Sequence, residues 1–164
     1  MVKAGPFNIE LVPATSWGKS LYKLTHTRIS RRYWDDIRAR ELRRAGSKCE
    51  ICGDSSTGLT CHEKWEYDET RHIQKLVGYE ITCRDCSNVL YLGRASTDEF
   101  LWKAAVKQFT YVTGLKEKDL KAVFDRVMDE WNERSHVSWH IDISEEPLLR
   151  AYEDELNKME PSRF

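Results

Sequence analysis

Cys49-Glu50-Ile51-Cys52 and Cys83-Arg84-Asp85-Cys86 are the stretches that decide how this chain folds. Each is a Cys-x-x-Cys knuckle, and 30 residues lie between them. A knuckle presents two thiolates to one cation, and two matched knuckles complete a tetrahedral four-cysteine zinc site. The alternatives are a redox Cys-x-x-Cys motif or plain buried cysteines, but two matched pairs are the more specific signal. A four-cysteine site is closed, so the zinc expected on Cys49, Cys52, Cys83 and Cys86 holds the fold and performs no chemistry. Cys61, the fifth cysteine, falls in the run Leu59-Thr60-Cys61 and is expected to pack inside a strand.

Working outward, 59–67 and 73–82 read as two strands joined by the polar turn Asp68-Glu69-Thr70-Arg71, a β-hairpin set between the two halves of the zinc site. After Cys86, a short helix is expected over 87–92, with Gly93 as its stop. Upstream, Gly5, Pro6, Pro13 and Gly18 predict an irregular arm over 1–29. A helix then runs from Ser30 as N-cap to Gly46, with Trp34, Ile37 and Leu42 inward and Arg38, Arg40, Arg43 and Arg44 on the remaining surface. Downstream, Ser96 and Glu99 form a capping-box pattern for a helix ending near Gly114. The next helix, 117–134, carries a single apolar stripe: Leu120, Val123, Phe124, Val127, Met128 and Trp131. Val137, Trp139, Ile141 and Ile143 alternate as a strand, and Pro147 opens an amphipathic tail helix with an acidic outer face. The fold class is α+β, in three parts: the arm 1–29, a zinc-binding domain with helical extension over 30–143, and an acidic helix over 144–164.

At 164 residues the chain is expected to be one domain, given about 150 residues per domain. A hydrophobic share of 40% supplies a core and excludes a disordered chain. No apolar run is long enough for a membrane span and no signal-peptide pattern is visible, so no membrane partner and a cytoplasmic location are expected. The net charge of −1 conceals an asymmetry. Residues 1–60 carry 11 Lys/Arg against 6 Asp/Glu, whereas 61–164 carry 15 against 21. His26, His72, His136 and His140 show no ligand spacing, and Trp65, Tyr67, Trp131 and Trp139 read as core.

Taken together, these motifs resemble the HNH endonucleases, the ββα-metal or His-Me finger family. The residues carrying the resemblance are Cys49-Glu50-Ile51-Cys52-Gly53, then Cys61-His62-Glu63-Lys64-Trp65-Glu66-Tyr67. They continue with Gln74-Lys75-Leu76-Val77-Gly78, Cys83-Arg84-Asp85-Cys86 and Gly93-Arg94-Ala95. The similarity runs from about Leu11 through Trp34-Asp35 to Trp139-His140-Ile141-Asp142. It implies a zinc-stapled ββα core surrounded by helices, with His62 as general base and a divalent cation, Mg or Mn, at the scissile phosphate.

The family pattern has a His directly after the last zinc cysteine and another four residues later. Here Ser87 and Tyr91 stand in those places. Ser87 and Asn88 remain as weak candidates for holding the cation: a hydroxyl is a poor neutral ligand, and Asn88 is one position out of register. The resemblance therefore implies an HNH-fold protein with impaired nuclease activity that acts by binding. The alternative is an active, metal-dependent HNH DNA endonuclease using His62. Two partners compete within the binding reading. Arg38, Arg40, Arg43 and Arg44 suit the phosphates of nucleic acid, with DNA favoured. The acidic rear, 13 Asp/Glu against 7 Lys/Arg over 117–164, suits a basic protein complex that processes nucleic acid. A phage-borne inhibitor of a defence system would carry such charge.

Overall fold

The computed structural model describes residues 4–161; the ends of the arm (1–3) and of the tail (162–164) lie outside the described residues. In chain order the helices and strands are α1 (Leu21–Thr27), α2 (Arg31–Arg44), β1 (Leu59–Asp68), β2 (Ile73–Cys83), α3 (Arg84–Leu90), α4 (Leu92–Ala95), α5 (Glu99–Thr113), α6 (Glu117–Arg134), β3 (His140–Asp142) and α7 (Glu153–Lys158). The sheet order is β1-β2-β3. The link between β1 and β2 is too short for a parallel crossover, so the two form a hairpin. Its turn is held by the Asp68 carboxylate, which accepts from the N–H groups of Thr70 and Arg71 at 3.0 and 2.9 Å. Among the described residues no helix is long and apolar enough to cross a membrane.

The chain divides into two compact units, and both hairpin strands pass from one to the other. The first comprises residues 4–12, 47–60 and 81–133. Its core gathers Phe7, Ile9, Val89, Leu92, Ala105, Phe109, Leu120, Val123 and Val127, all buried. The α6 stripe thus faces inward as its spacing predicts. So does part of the arm: the Phe7 ring packs, tilted by 39°, at 6.1 Å from Phe109, and the Trp131 indole donates to the Val12 carbonyl at 3.0 Å. Two expectations are corrected here. Gly93 does not stop a helix but lies inside α4, where a Cβ would come within 3.3 Å of Leu11, so glycine there admits a packed leucine. The α5 cap is Asp98 rather than Ser96: Asp98 accepts from Leu101 N at 3.0 Å, while the Ser96 hydroxyl donates back to the Gly93 carbonyl. Gly114, with φ of 73°, ends α5 in the left-handed conformation glycine favours.

The second unit comprises residues 13–46, 61–80 and 134–161. The arm is less irregular than expected, because Ser20 caps α1 by accepting from Lys23 N. Ser30 caps α2 as predicted, but the inner face of α2 is Trp34, Ile37 and Glu41, not Leu42. Glu41 is 7% exposed and Glu146 only 2%. Both buried carboxylates are paired. Arg40 sends its two terminal nitrogens to Glu146 at 3.1 and 2.8 Å and its Nε to Glu41 at 3.0 Å. Arg44 donates to Glu41 at 2.6 Å and to the Tyr79 carbonyl at 3.2 Å. The Tyr79 hydroxyl and Leu148 N–H complete Glu146, at 2.7 and 3.1 Å.

This network also explains the tail. With the Glu146 carboxylate drawn to Arg40, the chain turns at Leu148, and helix begins only at the 3-10 turn Arg150–Tyr152 and α7, not at Pro147. The strand expected over 137–143 shrinks to β3, which pairs in parallel with β2 through Ile73–His140, Gln74–Ile141 and Lys75–Asp142. Its other edge is closed by a side chain: the Asn157 amide accepts from Ile141 N and donates to Ile141 O, both at 2.8 Å.

Removing Arg40 strands the buried Glu146 carboxylate, whereas removing Glu146 leaves Arg40 partly exposed and still bonded to Glu41 but takes the acceptor from the buried Tyr79 hydroxyl. Breaking a fully buried pair costs about 3–5 kcal/mol, and the Arg40 side chain, at 37% exposure, is partly hydrated. We therefore expect Glu146→Ala to lower the unfolding free energy by about 2–3 kcal/mol in urea titrations. Burial opposes ionisation of Glu146, but Arg40 and Tyr79 outweigh it and hold the carboxyl below its ordinary 4.5. Its contribution is present above that pH and lost as pH falls below it. A variant as stable as the wild type at pH 7 would show that the pair contributes nothing.

Candidate metal centre

The four knuckle cysteines come together in the first unit, with their sulfurs all within 4.8 Å of one another. Local chemistry accounts for this. In the first knuckle, Gly53 takes φ of 81°, and its N–H returns to the Cys49 carbonyl at 2.9 Å, curling the loop around its two thiols. In the second, Cys83 is the N-cap of α3, and its sulfur accepts from Cys86 N at 3.4 Å. Glu50, between the first pair, joins the two knuckles. Its N–H donates to the Ile81 carbonyl at 2.8 Å, and its carboxylate accepts from Ile81 N at 2.7 Å. Gln108 on α5 donates to the Cys86 sulfur at 3.2 Å.

The dimensions fit a tetrahedral metal ion. Bonds of about 2.3 Å from one zinc set its sulfurs about 3.8 Å apart, and Cys52 and Cys83 lie at 3.7 Å. That is too far for a disulfide, and all five cysteines are free. Burial pushes the thiols of Cys83 and Cys86 up, Cys83 to about 11. At Cys49 burial acts the same way, but the backbone N–H groups of Cys52, Cys83 and Ile51 outweigh it and lower the thiol. Thiolates in such surroundings are stabilised by a cation, which must displace their protons. Cys61 takes no part. It is a packed strand cysteine whose thiol burial pushes up to about 12, as its apolar run predicts.

His62 and Glu63 follow Cys61 on β1, in the second unit. His62 is 9% exposed, and burial lowers its imidazole to about 4. It is neutral at pH 7, the form that accepts a proton, though a weak base. Glu63 accepts from Leu21 N at 2.8 Å and Tyr22 N at 3.3 Å, anchoring the start of α1. Burial pushes its carboxyl up to about 7 against those two bonds.

Ser87 lies on α3, in the first unit. Its hydroxyl donates to the Cys83 carbonyl at 2.8 Å and sits 2.8 Å from the Thr82 hydroxyl, the pattern of a packing serine. Asn88, the next residue, is half-buried, and Tyr91 is 48% exposed where α3 gives way to α4. Of the four arginines expected to meet phosphates, Arg38, Arg43 and Arg44 are exposed, and Arg40 and Arg44 are paired with Glu41 and Glu146. The carboxylates that capture them line a cleft of about 390 Å³ with Lys64, Val77 and Tyr79. Sequence reading missed this network because Glu41 and Glu146 look like ordinary surface charges; only the spacing of Glu41 with Trp34 and Ile37 hinted at burial.

Two measurements follow. Loading the metal-free protein should release protons and bind more tightly as pH rises, and chelation or Cys86→Ser should abolish near-UV circular dichroism from the first unit. Unchanged dichroism without metal would mean that the cysteines merely pack. The His62 imidazole should titrate near pH 4 by NMR, so that stability falls as pH drops from 6.5 toward 4, where only the unfolded chain takes up the proton. A midpoint near 6.5 would place it in water. No protein-family model, curated protein or solved structure matches the chain.

Proposed function

We propose that this is a zinc-stapled ββα protein of the HNH type, impaired as a nuclease, that acts by binding nucleic acid or a complex that processes it. The observation carrying this reading is the order knuckle, β1, β2, α3, with one ligand pair before the hairpin and the other opening the short helix. Four thiolates leave zinc no open position, so its part is structural. His62, on the first strand, is in the general-base place that the resemblance implies. The metal side supports impairment. The family's imidazoles are replaced by Ser87, whose hydroxyl is engaged with Cys83 and Thr82, and by Tyr91. A phenol or a bonded hydroxyl is a poor cation ligand at neutral pH.

The alternative, an active metal-dependent endonuclease, draws on one observation: His62 is neutral at pH 7, as a general base must be. A divalent cation would there supply the charge stabilisation at the phosphate. General-base help alone is worth about 10²–10⁴-fold, small against typical enzymatic accelerations of roughly 10⁶ or more.

The test is nicking of supercoiled plasmid with Mg²⁺ or Mn²⁺, beside His62→Ala. No nicking above that variant is expected, together with salt-dependent retention of the same DNA on the wild type. Robust cleavage abolished by His62→Ala would overturn the impaired reading in favour of the enzyme. If the wild type is silent, Ser87→His with Tyr91→His asks whether only the cation side is missing; renewed nicking would support the ββα reading directly.

A further inference from the structure

α5 buries one side and offers the other to solvent. Ala105 and Phe109 are fully buried. At about 100° per residue, Phe100 lies on the opposite side of the helix from Phe109, and Tyr111 returns to within about 20° of Phe100. Both aromatic rings are exposed, Phe100 at 80% and Tyr111 at 79%. Phenylalanine is among the most buried residue types, so an outlying pair on one helical line is informative. About 16 Å of helix axis separates them, and Lys103 and Lys107 lie between.

Between Glu99 and Glu117 the charged side chains are of one sign. Residues 100–116 contain Lys103, Lys107 and Lys116 and no acidic side chain, although acids outnumber bases 27 to 26 overall. Lys103 pairs with Glu99 at 2.9 Å, but both side chains are more than 70% exposed, and such a pair holds a lysine weakly. The helix is braced from its sides: the Trp102 indole donates to Glu117 at 2.8 Å, and Gln108 donates to the Cys86 sulfur. The exposed rings thus stand on a fixed platform rather than a mobile loop.

Flat rings interleaved with cations are what an unpaired strand of nucleic acid needs: π-faces for its bases and positive charge for its phosphates. A duplex offers no free base faces, and an acidic protein would use the lysines without needing two rings in line with them. We propose that the Phe100–Tyr111 face of α5 binds single-stranded nucleic acid, with bases stacked on the two rings and phosphates met by Lys103 and Lys107. The proposal rests on the nucleic-acid reading above and moves its contact surface from α2 to α5.

Fluorescence anisotropy with a labelled 12-mer of thymidylate, the matching uridylate and a 12-base-pair duplex tests it on the metal-loaded chain. Each stacked base is worth roughly 5- to 150-fold in affinity. Phe100→Ser with Tyr111→Ser should therefore weaken thymidylate binding by roughly 25-fold or more with the salt slope unchanged. Lys103→Glu with Lys107→Glu should weaken it and flatten the slope by about 1–2. All four side chains are exposed, and unchanged circular dichroism verifies folding. Equal response of the uridylate would extend the site to RNA; response of the thymidylate alone would restrict it to DNA, and either supports the site. Full-strength oligonucleotide binding by both variants would overturn the α5 site while leaving the nucleic-acid reading intact, and would assign the two rings to a protein contact. Tighter binding of the duplex would overturn it as well. Absence of binding to any probe at low salt would remove the reading and the proposal together.

Discussion

Four thiol groups held within 4.8 Å of one another are the constraint around which the first unit is built. Bringing together two knuckles 30 residues apart costs roughly 3 kcal/mol in the length-dependent part of loop closure alone. The apolar cluster and the paired bonds between Glu50 and Ile81 work against that cost. The thiols of Cys83 and Cys86 do not: burial resists their ionisation. A bound metal ion would reverse that cost, because the charge that is costly in an apolar setting becomes the bond. The start of α3 rests on one of these sulfurs, since Cys83 is both ligand candidate and cap.

The second unit has a different polar centre. Glu146 and Glu41 are buried anions made tolerable by two arginines, a tyrosine hydroxyl and a backbone N–H. Such a network contributes little net stability compared with a well-packed apolar equivalent, but it penalises any arrangement that leaves a member unpaired. It fixes which face of α2 points inward and where the tail turns. It also changes what the arginine-rich helix means: half of the charge expected to face phosphates faces protein carboxylates instead. On α5, by contrast, Lys103 and Lys107 stand between two exposed rings, and only the exposed Glu99 pairs with Lys103 there.

Elements legible in the sequence were those set by local rules. The hairpin follows from a polar turn between two apolar runs, α6 from its unbroken stripe, α2 from Ser30, and the end of α5 from Gly114. The errors share one cause. Ser96, Leu42, Gly93 and Pro147 each carried a local signal, and in each case a partner distant in sequence or a nearby competitor prevailed: Asp98 as the better cap, the arginine-paired Glu41 in the buried stripe, Leu11 against a residue lacking a Cβ, and Arg40 drawing Glu146 inward.

By itself, then, the sequence determined that a metal-capable four-cysteine cluster brackets a hairpin, because Cys-x-x-Cys spacing acts over four residues and the pairs are matched. It also determined the alternation and capping that make the principal helices, since those depend on neighbours a turn apart. Tertiary structure alone decided the fate of the charged residues. Whether an arginine is a ligand for phosphate or a partner for a buried carboxylate depends on what lies across from it, and Arg40 and Glu146 are 106 residues apart in the chain. It likewise decided that His62 is buried and neutral and that Ser87 is bonded to its own helix, because desolvation and hydrogen-bond partners are properties of a packed environment and not of a motif.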